Sequence, residues 1–375
     1  MKPAIVVTLC AAVMGSQPAA AHDAQATSSF CAGLNTAVAP LTRGADAVFI
    51  RSYEPGSDEP SLPAGIATTA FVYDNALTAI ALVACGNVSD AKPIGNALSR
   101  AAHNDRTFND GRIRNAYRAG PVDERAPNLP GWWDAHAKIW AEDAAQDGTA
   151  TGNVAWAALA LLTLHQATQE AEYLAGAKRL IDWVISATAC DGGFCGGFHG
   201  YDPQQVKLTW MSTEHNVDVL AAARWLFHLT GEQKYADAAR QARQLLDRAF
   251  RGDHFLLGTK PDGRLADEGV LALDVQLWPM MAVPETPAAW RSALGFAQVH
   301  LAVDNGFDFN GDRDGVWVEG DSAGGTGLSD LWQHNAARPP AGRPEGRPDA
   351  VRVAQRFTRG APDHGIVDRS DRYGA

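Results

Sequence analysis

Two stretches of this chain repeat each other. Residues 153–168 begin Asn153-Val154 and run through an apolar segment to Thr168. Residues 216–230 begin Asn216-Val217 and run likewise to Thr230. Each is followed at once by a second segment, which carries Tyr173 in one copy and Tyr235 in the other. The two tyrosines are 62 residues apart, as are Thr168 and Thr230. Self-similarity at such a period marks a supersecondary unit stacked on copies of itself. Here the unit is a helix, a short turn and a second helix. Weaker copies are residues 75–86 with 91–102, and 272–281 with 288–303. Single helices near 29–41 and 327–334 read as parts of further pairs.

Within a pair the first helix is apolar nearly all round, and the second has a charged face. A helix without a polar face must be buried. The first helices therefore form an inner ring and the second ones an outer ring. The expected fold is all-α, an (α/α)6 toroid of helical hairpins over residues 28–335, with the last hairpin incomplete. Turns inside a pair are short, whereas long connectors such as 104–148 and 189–212 link one pair to the next. All inner helices then run parallel, and their N-termini and the long connectors share one end. Long connectors carried on a rigid scaffold are where function concentrates.

The ends of the chain differ from this body. Lys2, the apolar run 5–14 and Ala19-Ala20-Ala21 read as a signal peptide over residues 1–21, cleaved near Ala21/His22. No later stretch is apolar and long enough to span a bilayer. The mature chain is thus expected to be periplasmic or secreted, without an integral membrane segment. Residues 336–375 hold eight Arg and five Pro with little apolar periodicity. They read as a disordered tail, and one that starts where the last hairpin should continue, as a truncated or frame-shifted end would.

Cys10 leaves with the signal, and four cysteines remain for an oxidising compartment. Cys190 and Cys195 bracket a glycine-rich loop and are expected to pair, which leaves Cys31 for Cys85. The formal charge of −11 argues against nucleic acid or an anionic membrane as a partner. It fits a neutral substrate, or a cationic one.

Polar and aromatic residues gather where the inner helices begin. Asp74 and Asn75 open the first, Asn153 the second, and Glu214-His215-Asn216 the third, with Asp218 one turn on. Asp274 opens the fourth. Any one of them is open to the plainer reading of a helix cap, but caps alone do not require Glu-His-Asn in a row on a buried helix. The connectors add Asn115, Tyr117, Trp132, Trp133, Asp134, Trp210 and Trp317. Aromatic rings stack on the C–H faces of sugars, and amide and carboxylate groups pair with hydroxyls. The plainer reading is that these rings plug the loops onto the barrel end.

Glycosidic cleavage needs two carboxyl groups flanking the bond. Glu214 is the expected acid, Asp74 its partner, and Glu319 the third candidate. A separate pattern, Asn310, Asp312 and Asp314 followed by Gly315, has calcium-loop spacing, but its twelfth position is Asp321 rather than Glu. The alternative is an acidic turn held by Asx hydrogen bonds. No other cofactor is indicated.

The paired-helix repeat, with FVYDNAL (71–77), RNAYRAGP (114–121), GWWD (131–134), TATGNVAWAALALL (149–162), STEHNVDVLAA (212–222) and FDFNGDRDGVWVEG (307–320), resembles bacterial secreted proteins of the six-hairpin glycosidase superfamily. The resemblance spans about residues 65–325. It implies an (α/α)6 barrel acting on carbohydrate, with catalytic carboxylates at the cleft end of inner helices. Asp74 and Glu214 match that placement. Glu319 falls where relatives continue into a final inner helix, and Gly320-DSAGGTG follows here instead. The expected activity is glycoside hydrolysis. A polysaccharide lyase using Asn115, Tyr117, Arg118 and His215, a sugar epimerase with His215 as base, and a degenerate sugar-binding protein are the competing readings.

Overall fold

The computed structural model describes residues 21–54, 61–123, 125–283, 285–303 and 306–317. Its helices are α1 (Ala21–Thr42), α2 (Val72–Ala84), α3 (Val88–His103), α4 (Ala144–Asp147), α5 (Thr151–Thr168), α6 (Ala171–Ala187), α7 (Thr213–Thr230), α8 (Gln233–Ala249), α9 (Leu273–Ala282) and α10 (Ser292–His300), the last entered through a 3-10 turn at Ala288–Arg291. The four hairpins read from the sequence are α2–α3, α5–α6, α7–α8 and α9–α10. Helix α2 packs on α5, α5 on α7 and α7 on α9, so these four form an arc of inner helices. Helices α3, α6 and α8 stand outside. The architecture is that of an α/α toroid. The signal segment 1–20, the segment 327–334 and the tail 336–375 lie outside the described residues.

Burial explains the two layers. Ten residues of α5 are buried, including Val154, Leu161, Leu162 and Leu164, and its half-buried Asn153, Trp156, Leu159 and Thr163 recur every three to four residues as a stripe. That stripe faces the inside of the arc. Helix α8 buries Tyr235, Ala238, Ala242, Leu245 and Leu246 on one face and leaves its charged residues outside.

The repeat extends to individual hydrogen bonds. Gln169 and Gly231, 62 residues apart, both take a left-handed conformation that ends the inner helix, at φ 63° and 69°. The Thr168 and Thr230 hydroxyls each donate to the carbonyl four residues back and accept the amide of Glu170 or Glu232. Those glutamates pair with Lys92 and Lys178, each on the preceding outer helix.

The connectors carry short antiparallel strands: β1 (Val48–Phe49), β2 (Thr69–Phe71), β3 (Ala116–Arg118), β4 (Gly120–Pro121), β5 (Trp132–Asp134), β6 (Ile139–Ala141), β7 (Thr149–Ala150), β8 (Ala189–Cys190), β9 (Gly193–Phe194), β10 (Gly197–His199), β11 (Val206–Leu208), β12 (Ala302–Val303) and β13 (Gly306–Phe307). They pair as β1–β4, β2–β3, β5–β6, β8–β9, β12–β13 and the three-stranded β11–β10–β7. Both expected disulfides are formed. Cys31–Cys85 ties α1 to the end of α2, and Cys190–Cys195 closes the β8–β9 turn. None of the described helices is long and apolar enough to cross a membrane.

Candidate active site

The first backbone N–H of each inner helix lacks an intrahelical partner, and the connectors supply one four times over. Val72 donates to Asn115, Thr151 to Gly196, Thr213 to Leu257 and Leu273 to Phe309, all at carbonyl oxygens. In each case the acceptor lies in the connector that follows the hairpin. The preceding connector is gripped by a carboxamide one turn into the helix. Asn75 takes both the N–H and the C=O of Ile50, Asn216 those of Phe194, and Gln276 those of Phe255. Every inner-helix mouth is thereby fixed between two connectors.

This changes the reading of several residues. Asn75 and Asn216 are buried, and their remaining N–H groups donate to Phe71 and Ser212, so no donor is left for a sugar hydroxyl. They are structural clamps, not substrate contacts. Asn115 performs the same task for α5: its oxygen accepts from Ala150 and from the Asn153 side chain, and its amide donates to Ala145. Tyr117 is buried, stacked on Phe49 at 4.9 Å, and its hydroxyl accepts the Arg114 amide. It too is withdrawn from any substrate.

The other polar candidates also stand at inner-helix N-termini. Glu214 and His215 stand at the mouth of α7, Asp74 at that of α2, and Asp274 at that of α9, where one of its oxygens accepts the Val275 amide. Asn153 lies between them on α5. Three aromatic rings meet inside the arc. Trp156 of α5 contacts Tyr73 of α2 at 5.5 Å and Trp278 of α9 at 5.6 Å, both edge-on. Because α7 separates α5 from α9 in the arc, the Trp156–Trp278 contact reaches across its interior. The Trp156 indole N–H is buried with no hydrogen-bond partner among the described residues. In the sequence Trp156 looks like one more apolar residue of a buried helix.

His215 lies in a cleft between α5 and α7. A side chain at Gly152 would put its Cβ 2.4 Å from His215 Cδ2, so only glycine leaves space for the ring. The Trp210 ring, itself flat against Gly196, lies 5.8 Å away. Burial pushes the imidazole pKa down to about 4, which keeps it neutral at physiological pH. Its Nδ1 is buried without a partner among the described residues.

The rim behind this site rests on an ion cluster that the sequence did not reveal. Arg114, wholly buried, forms two bonds each to Asp105 and Asp202 and one to the Asp147 carbonyl. Burial opposes the charge on Asp202, but the bonds from Arg114, Thr107 and Arg106 hold its pKa down to about 2. Asp147 behaves oppositely. Burial, and then the charge of nearby Glu142, push it well above the usual carboxylate range.

The other expected residues are dispersed. Trp132, Trp133 and Asp134 lie on the β5–β6 hairpin, where an Asp134 oxygen accepts the amides of His136 and Ala137. Trp317 packs edge-on against Phe309 at 5.0 Å. Glu319 lies outside the described residues. At the expected calcium loop, the carboxylates that converge are those of Asp308, Asp312 and Asp314, within 4.8 Å of one another. The Asn310 side-chain oxygen accepts the Asp312 amide in an Asx turn.

No family model and no curated protein matches the sequence. Solved structures do match in shape. A sugar epimerase from a ruminal bacterium superposes with a TM-score of 0.58 at 13% identity, covering 82% of each chain. A wild-type glycosidase gives 0.55 at 13% identity, covering 83% of this chain and 80% of that one. An α-amylase from Clostridium perfringens gives 0.51 at 9% identity, covering 75% and 74%. The fold of this chain is the (α/α)6 toroid that these structures share.

Proposed function

We propose that the protein is an exported glycoside hydrolase acting on an oligo- or polysaccharide, with Glu214 as general acid and Asp74 as its carboxylate partner. The observation that carries this reading is a carboxylate in the first turn of three of the four inner helices, Asp74, Glu214 and Asp274, in an arc whose interior holds the Tyr73–Trp156–Trp278 ring cluster. Aromatic rings suit a sugar face, and carboxyl groups on the same helices would protonate a leaving oxygen and assist the attacking water. Asp274, Asn153 and Trp210 border the same space and are assigned to binding. The two disulfides fit an oxidising compartment.

A second reading is favoured by one observation. His215 is a neutral imidazole with a buried, unpartnered Nδ1 beside the carboxylates, and a neutral histidine is a competent proton acceptor. On that reading the protein epimerises a free sugar. Incubation with defined glycans and free sugars separates the two. Hydrolysis releases new reducing ends. Epimerisation changes the sugar while the number of reducing ends stays constant, and that result would overturn the hydrolase reading.

A further inference from the structure

The β5–β6 hairpin leaves large apolar rings in solvent. Trp133 is 60% exposed and Trp140 48%. They are directly paired across the two strands, so their side chains share one face of the hairpin. The opposite face carries Trp132, whose ring lies against Gly65 and fastens the hairpin to the body. Trp140 is also held in place. A Cβ at Gly131 would sit 2.4 Å from its Nε1, so the ring lies directly on that backbone.

Two cations, Arg118 and Lys138, accompany the pair in a chain whose net charge is −11. The Arg118 guanidinium stands over the Trp140 ring at 5.0 Å. Among the described residues neither Arg118 nor Lys138 at the hairpin turn has an ion pair. The carboxylates closest in sequence are engaged elsewhere: Asp134 with backbone amides, Glu142 with Arg106, and Asp143 with the start of α4. A guanidinium stacked on an indole keeps its N–H edges free, and those edges match a carboxylate.

We propose that this hairpin is a binding platform for an acidic polysaccharide. The Trp133–Trp140 pair stacks on the C–H faces of pyranose rings, and Arg118 pairs with a uronate carboxylate. The inference rests on the reading of the protein as carbohydrate-active, and it names the substrate class. The connector that holds the hairpin also closes the mouth of α5, through Asn115 and Asn153. A chain bound on the platform therefore lies at the cleft end of the toroid.

The test is affinity electrophoresis of the full chain in gels containing polygalacturonate, alginate, fully methyl-esterified polygalacturonate or hydroxyethylcellulose. At least one acidic polymer is expected to retard the protein about tenfold more strongly than the ester or the neutral polymer, as for one charge-assisted pair. Trp133→Ala and Trp140→Ala each weaken this about fivefold or more, while Trp140→Phe, which keeps a ring, retains most of it. Arg118→Gln removes the preference for the acid over the ester. All these positions are exposed, and unchanged circular dichroism verifies folding. Equal retardation by acid and ester, absence of retardation in all gels, or indifference to the tryptophan substitutions would overturn the proposal. If a neutral glycan is hydrolysed in a Glu214-dependent way while acidic polymers do not retard the protein, the hydrolase reading stands and the platform falls. If the platform binds acid through these residues but no glycan is turned over, the platform stands and the hydrolase reading falls.

Discussion

The hairpins α5–α6 and α7–α8 are one design used for two purposes. Their inner helices are both 18 residues long and are offset by 62 positions, so Thr151 corresponds to Thr213, Gly152 to Glu214, Asn153 to His215 and Trp156 to Asp218. The common part is the anchor. Both threonine hydroxyls donate to a connector carbonyl, at 2.5 and 2.6 Å. The divergent part faces the interior. Helix α7 presents a glutamate and a histidine, while α5 presents a glycine that admits that histidine and a tryptophan that joins the ring cluster. Repetition supplies the frame, and on the proposed reading the departures from it carry the chemistry.

The anchor should show the largest thermodynamic effect. Asn216→Ala strands the Phe194 N–H and C=O in the interior and should cost about 4 kcal/mol, whereas Asn153→Ala, which breaks one bond to Asn115, should cost about 1 kcal/mol. Urea titration of both variants measures the difference, and equal losses would mean that the two mouths are built alike. Next in size is a pH effect confined to α7. With the folded pKa of His215 near 4 and the unfolded value at 6.5, its contribution is complete above pH 6.5. It is lost as pH falls towards 4, because the unfolded state then binds the extra proton. About 3 kcal/mol should separate pH 7 from pH 4, and His215→Asn, which copies the α5 residue, should remove that part of the slope. A smaller penalty is expected at the facing glycine. Gly152→Ala drives a methyl into the imidazole and should cost about 2 kcal/mol, with activity reduced in step. Smallest of all is the exposed Lys92–Glu170 pair, where Lys92→Met should change stability by less than about 1 kcal/mol in a thermal melt.

The helix pairs were legible in the sequence because an inner helix cannot hide its lack of a polar face, and the connector lengths set the direction of every hairpin. The clamps were not. Asn75 and Asn216 stand where a sugar-binding amide would stand, and only the position of Ile50 and Phe194, more than twenty residues earlier, shows that they grip backbone. Asn153-Val154 and Asn216-Val217 look equivalent in the sequence, but the helices keep the 62-residue offset of Thr168 and Thr230, which sets Asn153 against His215. The Arg114 cluster was out of reach altogether, because Asp202 lies 88 residues further along the chain. The candidate carboxylates Asp74 and Glu214 were readable as helix-mouth acids on the inner ring, which is also where the structure has them.

The central claim is that the departure of α7 from the repeat is catalytic. It is tested most directly by reducing-end release from a cleaved glycan, comparing the wild type with Glu214→Gln at equal folded concentration. The account predicts a fall of about 100-fold or more with an unchanged melting temperature. Full activity in Glu214→Gln would contradict it.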